Sequence, residues 1–241
     1  MSGTGEDYPL DPQARGQLYH FLASAYLRPL APEALHHLTD PGVLRELASV
    51  FGEKATATLR SFLPNADAQR CRDDLQQEFM DLFAVPAGRY VTPFEDVYRG
   101  VSPERQLGPL LGEHAVAVKR LYRAAGADAD ESCKELPTHI GVELAFMSFL
   151  CSSEAAARSG ETRAAAGDAA APCTFYRTLQ LRFLREHLNA WFPQLCSAIR
   201  QRAASDFYRG IAELTEAVLE RHIAWLASEP TPEVADVAAV H

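Results

Sequence analysis

His139 and Glu143 stand four residues apart in "THIGVE", the spacing that puts two side chains on one face of a helix. A histidine and a carboxylate so placed can share a metal ion or pass a proton. His114, in the apolar run "LLGEHAVAV", could add a second nitrogen. His114, His139 and Glu143 thus define an enzymatic alternative: a helical metal-binding enzyme. The wider pattern does not extend it. A di-iron bundle needs Glu-x-x-His on two helices, and the chain offers Glu186-His187 and Glu220-Arg221-His222 instead. It has no HExxH, no GxxxxGK[ST] phosphate loop and no GxGxxG after a strand pattern. A cysteine nucleophile would need a histidine and an orienting acid, and no local signature joins them. The expectation is a non-enzyme with no catalytic residue, no metal and no cofactor.

Two segments carry more than a connector needs. The first is "LFAVPAGRYVTPFEDVY", Leu82 to Tyr98. Pro86 and Pro93 restrict the backbone and disfavour helix before each of them. Phe83, Phe94 and Tyr98 supply rigid aromatic area at small entropic cost, with Glu95 alongside. This predicts either a loop that packs its own rings into the core, or a stiff, acid-edged surface that receives an apolar, basic segment. The second segment is "ELPTHIGVELAFM", Glu135 to Met147. Pro137 fixes the entry to a helix, and Thr138 and His139 fall in its first turn, where backbone N–H groups are free.

The elements that must hold these segments are helical. Asp11 is an N-cap with Pro12 at the first helical position, and apolar residues recur at helical spacing to Leu27. Further helices are expected over Pro32–Leu38, Pro41–Phe51, Asp67–Phe83, Pro103–Ala125, Pro137–Ser153, Cys173–Asn189, Phe192–Ala203 and Ser205–Ala227. The Pro103–Ala125 stripe is Leu107, Leu110, Leu111, His114, Val118 and Leu121. No β-branched alternation and no repeat is visible. The reading is all-α: one helical domain over 1–230, of about nine or ten helices, and a loose tail over 231–241. Within the domain, 159–172 is small, polar and of low complexity, a mobile linker that could also allow two protomers to swap lobes as a homodimer.

The chain has 241 residues, 47% of them hydrophobic, enough for a sizeable core, and a net charge of −9. That charge disfavours nucleic acid, which selects basic faces. Its five cysteines form no CxxC pair, which fits a reducing cytoplasm rather than a disulfide or zinc framework. "MSGTGEDYPLD" is acidic and lacks the apolar core of a secretory signal, and no run of about 18 apolar residues suggests a membrane span.

In order, the two segments resemble the cytoplasmic chaperones that mature molybdenum oxidoreductases. This is the trimethylamine-oxide and dimethyl-sulfoxide reductase chaperone family, related to the nitrate reductase assembly chaperones. One signature of the family is an aromatic, x, x, Leu-Phe, a proline-containing loop, then Pro, an aromatic and a Tyr four residues on. Phe79, Leu82, Phe83, Pro86, Pro93, Phe94 and Tyr98 match it. The other is Leu-Pro-Asp-His before a helix with Glu-Leu-x-Phe-Met. Leu136, Pro137, Thr138, His139, Glu143, Leu144, Phe146 and Met147 match it, except that Thr138 replaces the aspartate. Asp96 stands where the family often has serine. The resemblance implies a chaperone that binds the apo form of a molybdopterin-guanine-dinucleotide oxidoreductase and its twin-arginine leader until the cofactor is inserted. It also implies a peptide-binding set: Phe83, Pro86, Pro93, Phe94, Glu95, Tyr98, Glu135, Pro137, Thr138, His139 and Glu143. The family's aspartate is tied to leader recognition, so Glu135 or Glu143 is expected to supply that charge here. No residues point to a site for guanine nucleotide or the pterin cofactor.

Overall fold

Asp11 accepts the Ala14 N–H at 2.8 Å and Pro12 takes the first helical position, so helix α1 (Pro12–Leu27) starts where its capping signal lies. Asp40 does the same for α3 (Pro41–Phe51), accepting from Gly42 and Val43. The computed structural model describes residues 10–38, 40–62, 68–101, 107–127, 135–160 and 171–228. The remaining helices are α2 (Pro32–Leu38), α4 (Glu53–Ser61), α5 (Ala68–Phe79), α6 (Glu95–Arg99), α7 (Glu113–Ala124), α8 (Ile140–Ser159), α9 (Ala171–Phe183), α10 (Asn189–Arg202) and α11 (Asp206–Ser228). Two π-helical turns, Met80–Ala84 after α5 and Leu184–Leu188 between α9 and α10, complete the list. The described part is all-α; its only β-type pairing is an isolated bridge between Phe94 and His139.

The central element is α8. It is long and apolar enough to cross a membrane by length and composition, yet it is a core helix. Ile140, Leu144, Met147, Leu150 and Cys151 are fully buried. Helix α1 runs antiparallel along it in close contact. Gly141 sits so near Leu27 that a Cβ there would stand 2.4 Å from the Leu27 side chain. At the other end, Ser148 Oγ donates to the Gly16 carbonyl at 2.8 Å. Helices α9, α10 and α11 close the core with Phe183, Trp191, Phe192, Phe207 and Tyr208.

One ionic cluster pins α1, α8 and α9 together. Glu154, wholly buried, accepts from Arg15 at 2.6 Å, Arg177 at 2.8 Å and Gln180 at 3.1 Å. Burial alone would raise its carboxyl; the two guanidiniums and the amide outweigh that and hold it below the usual range. Arg15 and Arg177 also lie over the Trp225 ring of α11, at 4.6 and 5.1 Å.

The structure corrects several boundaries. The expected helix Pro103–Ala125 begins only at Glu113, because Pro109 lacks a donor, Leu111 adopts a left-handed φ of 60°, and Gly112 precedes the first turn. Leu107, Leu110 and Leu111 therefore leave the core stripe and face solvent. Helix α8 starts three residues after Pro137 and runs on to Ser159, where Gly160 ends it in the left-handed conformation. The expected break between Asn189 and Phe192 is absent. Pro193 falls just past the π turn, where the i→i−4 ladder is already interrupted, and the helix continues. Helix α4 answers to no expectation above. Of the expected linker 159–172, residues 161–170 lie outside the described residues, as does the tail 231–241.

Replacing Glu154 by Ala would strand the buried Arg15 charge. Chemical denaturation should show a loss of about 3–5 kcal/mol; a loss under about 1 kcal/mol would mean that solvent reaches this cluster.

Candidate peptide-binding site

The proline- and aromatic-rich loop leaves the first π turn with Val91 N–H donating to the Leu82 carbonyl at 2.7 Å. It then meets the entry to α8. Ile140 N–H donates to the Pro93 carbonyl at 2.8 Å, and Glu95 N–H to the Thr138 carbonyl at 2.9 Å. The Phe94 and His139 rings meet edge-on at 5.3 Å. His139 is the N-cap of α8: its Nδ1 accepts the Gly141 N–H at 3.0 Å. Burial holds it neutral, with its pKa lowered to about 4, which keeps that lone pair available. The two segments singled out in the sequence are thus one joint.

Asp96 stands at the centre of this joint. It is buried, with Oδ2 accepting the Thr138 hydroxyl at 3.0 Å and Oδ1 accepting the Ala115 N–H, in the first turn of α7, at 3.3 Å. Thr138 and Asp96 are the two positions that depart from the resembled pattern, and they bond to each other. Relative to that pattern, the carboxylate stands at 96 and the hydroxyl at 138, and the two are hydrogen-bonded here. Glu135 is exposed and Glu143 bonds Trp191, so neither takes part in this pair.

Behind the joint lies a second buried network. Glu95 accepts from His187 Nδ1 at 3.0 Å and from Arg99, one helical turn on. Arg99 also donates to the Glu186 carbonyl of the second π turn at 2.6 Å. Burial works to raise the Glu95 carboxyl, but His187 and Arg99 outweigh it and hold it low. Glu143 accepts the Trp191 indole N–H at 3.0 Å on Oε2 and faces the Glu95 carboxyl. Burial, reinforced by the charge on Glu95, drives the Glu143 carboxyl well above its ordinary value, against the pull of Trp191. Its protonated form is thus favoured by the fold. Of Arg99, His187 and Trp191, only Arg99 carries a local sequence signal, its spacing of four from Glu95.

The expected site residues separate by burial. Phe83 packs in the core against Phe79, Tyr26 and Tyr208. Pro93, Glu95, Thr138, His139 and Glu143 are buried. Phe94, Tyr98 and Pro137 are half-buried, and Pro86 and Glu135 are exposed. Tyr98 leans on Trp191 with ring centroids 5.4 Å apart, and Pro137 offers its carbonyl to Tyr122. Arg202 of α10 donates to the Tyr90 carbonyl and holds the loop from the far side. No three His, Cys, Asp or Glu side chains form a metal-sized group among the described residues. His114, on α7, neighbours Glu113 rather than His139 and Glu143.

Two cavities lie away from the joint. One, of about 350 Å³, is an apolar channel between α1 and α3 whose walls include Leu18, Phe21, Leu47 and Phe51. The other, of about 340 Å³, is more polar, with Arg72, Asp73, Phe207 and Tyr208 among its walls.

The fold and the joint define a helical domain organised around a clasped aromatic loop. The chain belongs to the family described as nitrate reductase delta subunit, whose profile matches residues 48–197 and so spans most of this joint. It falls among the maturation chaperones of molybdoenzymes. It is similar to the chaperone protein TorD of Shewanella piezotolerans, 22% identical over 91% of this chain and 95% of that one. It is likewise similar to the chlorate reductase assembly chaperone protein of Ideonella dechloratans, 29% identical over 76% of this chain and 92% of the other. The perchlorate reductase assembly chaperone protein of Dechloromonas aromatica is 28% identical over 54% of this chain and 53% of its own.

Two outcomes test this geometry. Thr138→Asp alone sets two carboxylates against each other in a buried site and should cost roughly 3–5 kcal/mol. Adding Asp96→Ser should recover most of the loss, and additive effects in a double-mutant cycle would refute the exchange. For Glu143, a carboxyl whose folded pKa is raised favours the fold below its unfolded pKa, and that contribution drains away as pH rises towards the folded value. Glu143→Gln mimics the protonated acid, so its melting temperature should match the wild type near pH 4.5 and exceed it increasingly at higher pH. Equal pH profiles would show that Glu143 is not protonated in the fold.

Proposed function

We propose that the chain is a cytoplasmic chaperone for one molybdenum oxidoreductase. It holds the apo catalytic subunit by its twin-arginine leader, or an equivalent N-terminal segment, until the cofactor is in place. The observation that carries this is the joint itself. Its backbone and side-chain bonds fix a half-buried aromatic pair, Phe94 and Tyr98, in two segments whose Pro86 and Glu135 are exposed. The relatives named chaperone protein TorD and chlorate and perchlorate reductase assembly chaperone proteins support the client class.

In this reading the set splits in two. Phe94, Tyr98, Pro86, Pro137 and Glu135 touch the leader. Pro93, Glu95, Thr138, His139, Glu143 and the Phe83 ring position them. A twin-arginine leader is an apolar stretch preceded by two arginines. The aromatic edge suits the first, and Glu135 is the solvent-facing acid of the set for the second. The apolar channel between α1 and α3 is a second seat for the leader's apolar stretch, favoured by its lining.

Calorimetric titration with a twin-arginine leader peptide of a molybdenum oxidoreductase decides between them. Tyr98→Ala should weaken binding by about 1–2 kcal/mol, roughly 5–30-fold, as truncated interface anchors do. Glu135→Gln should weaken it less, and the wild-type affinity should fall with added salt. If Tyr98→Ala leaves affinity unchanged while Phe21→Ala weakens it, the leader sits in the channel. No leader affinity in the wild type would end the leader reading.

A further inference from the structure

Among the described residues, seven large apolar side chains are exposed, and five of them fall between Val101 and Val116. Leu107 is 64% exposed and Leu111 57%, with Leu110 and Val116 at 50%. The turn over 107–112 is firmly held. Gly108 N–H donates to the Val97 carbonyl at 3.0 Å, and a Cβ on Gly108 would stand 1.9 Å from the Asp96 carbonyl. The turn is therefore clamped onto α6 with its leucines outward. Leu111 is also held at a φ of 60°, a conformation that disfavours any residue with a Cβ. A leucine kept both strained and solvent-facing points to a contact outside the chain.

The face continues along α7. Val116, Lys119, Arg120 and Arg123 recur at i, i+3, i+4 and i+7 and are all exposed. None of the three cations enters an ion pair among the described residues. Glu113, at the helix start, is the one acid between Leu107 and Ala124. In a chain of net charge −9, 107–124 thus carries three cations against one acid.

We propose that this face is a docking surface for an acidic amphipathic segment of a partner protein. Its apolar side chains would seat on Leu107, Leu110, Leu111 and Val116, and its carboxylates would meet Lys119, Arg120 and Arg123. Such a segment is opposite in charge to a twin-arginine leader, and the proposal stands independently of where a leader binds. An anionic lipid surface would meet the same cations, but the acidic remainder of the chain would be repelled by it.

The probe is a fluorescein-labelled helical peptide with leucines at i, i+4 and i+7 and glutamates between them, paired with a counterpart carrying lysines for the glutamates. The full chain should bind the acidic peptide at least about tenfold more tightly, with an affinity that falls as salt is added. Leu111→Asp and the pair Arg120→Glu/Arg123→Glu should each weaken it by about tenfold or more without lowering the melting temperature. Leu111→Gly, which removes the strain along with the side chain, should raise the melting temperature while weakening the peptide. Equal affinity for the two peptides, or unchanged affinity in the folded variants, overturns the proposal. So does an absence of peptide binding accompanied by capture on phosphatidylserine vesicles, or by a dimer that Leu111→Asp dissociates; these assign the face to a membrane or to a second copy.

Discussion

Two backbone hydrogen bonds, Ile140 N–H to the Pro93 carbonyl and Glu95 N–H to the Thr138 carbonyl, hold together segments about 45 residues apart in sequence. The second half of the aromatic loop takes its place against α8 through them. They bring Asp96 under the entry of α8, where it bonds Thr138 and the start of α7. They also set Phe94 on the His139 ring. A loop of this composition without such bonds would have to hide its rings or expose them as an ensemble. Here it presents an edge.

The carboxylates work inward. Glu95, Glu143 and Glu154 are wholly buried, and each is satisfied differently. Glu154 has three guanidiniums and an amide, Glu95 has His187 and Arg99, and Glu143 has the Trp191 indole. Buried charge of this kind is costly unless paired. Its return is geometric: each group joins helices that apolar contact alone would allow to slide. The acid-edged surface suggested by the sequence is therefore largely an acid-pinned scaffold, with Glu135 left outside.

Helix starts were legible because their signals are local: Asp11 with Pro12, Asp40 with Pro41, Pro32 at the head of α2. The joint was legible as two unusual segments, since prolines and aromatics in a connector are conspicuous. Burial was not legible. Whether Glu143 faces water depends on Trp191, and Glu95 depends on His187, residues 48 and 92 positions away. The run Leu107, Leu110, Leu111 has helical spacing and was read as core. What overrides it is Gly108 folding against Asp96, a contact that no window of sequence contains. The Thr138 and Asp96 departures looked like two separate losses, and only their contact makes them one exchange.

From Leu179 onward the buried residues come in adjacent pairs at steps of four: Leu179 and Gln180, Phe183 and Leu184, His187 and Leu188, Trp191 and Phe192, Leu195 and Cys196. In a regular α-helix each step of four overshoots a turn by about 40°, so such a stripe winds off the core. The π turn at Leu184–Leu188 takes up an extra residue and restores the phase. Deleting one residue there would give back an ordinary ladder and rotate the rest of the helix by about 100°. Trp191 would leave Glu143, and Arg202 would leave the Tyr90 carbonyl. The length of this helix is thereby fixed to the residue: its side chains can drift by substitution, while a single insertion or deletion would unlock the loop from behind.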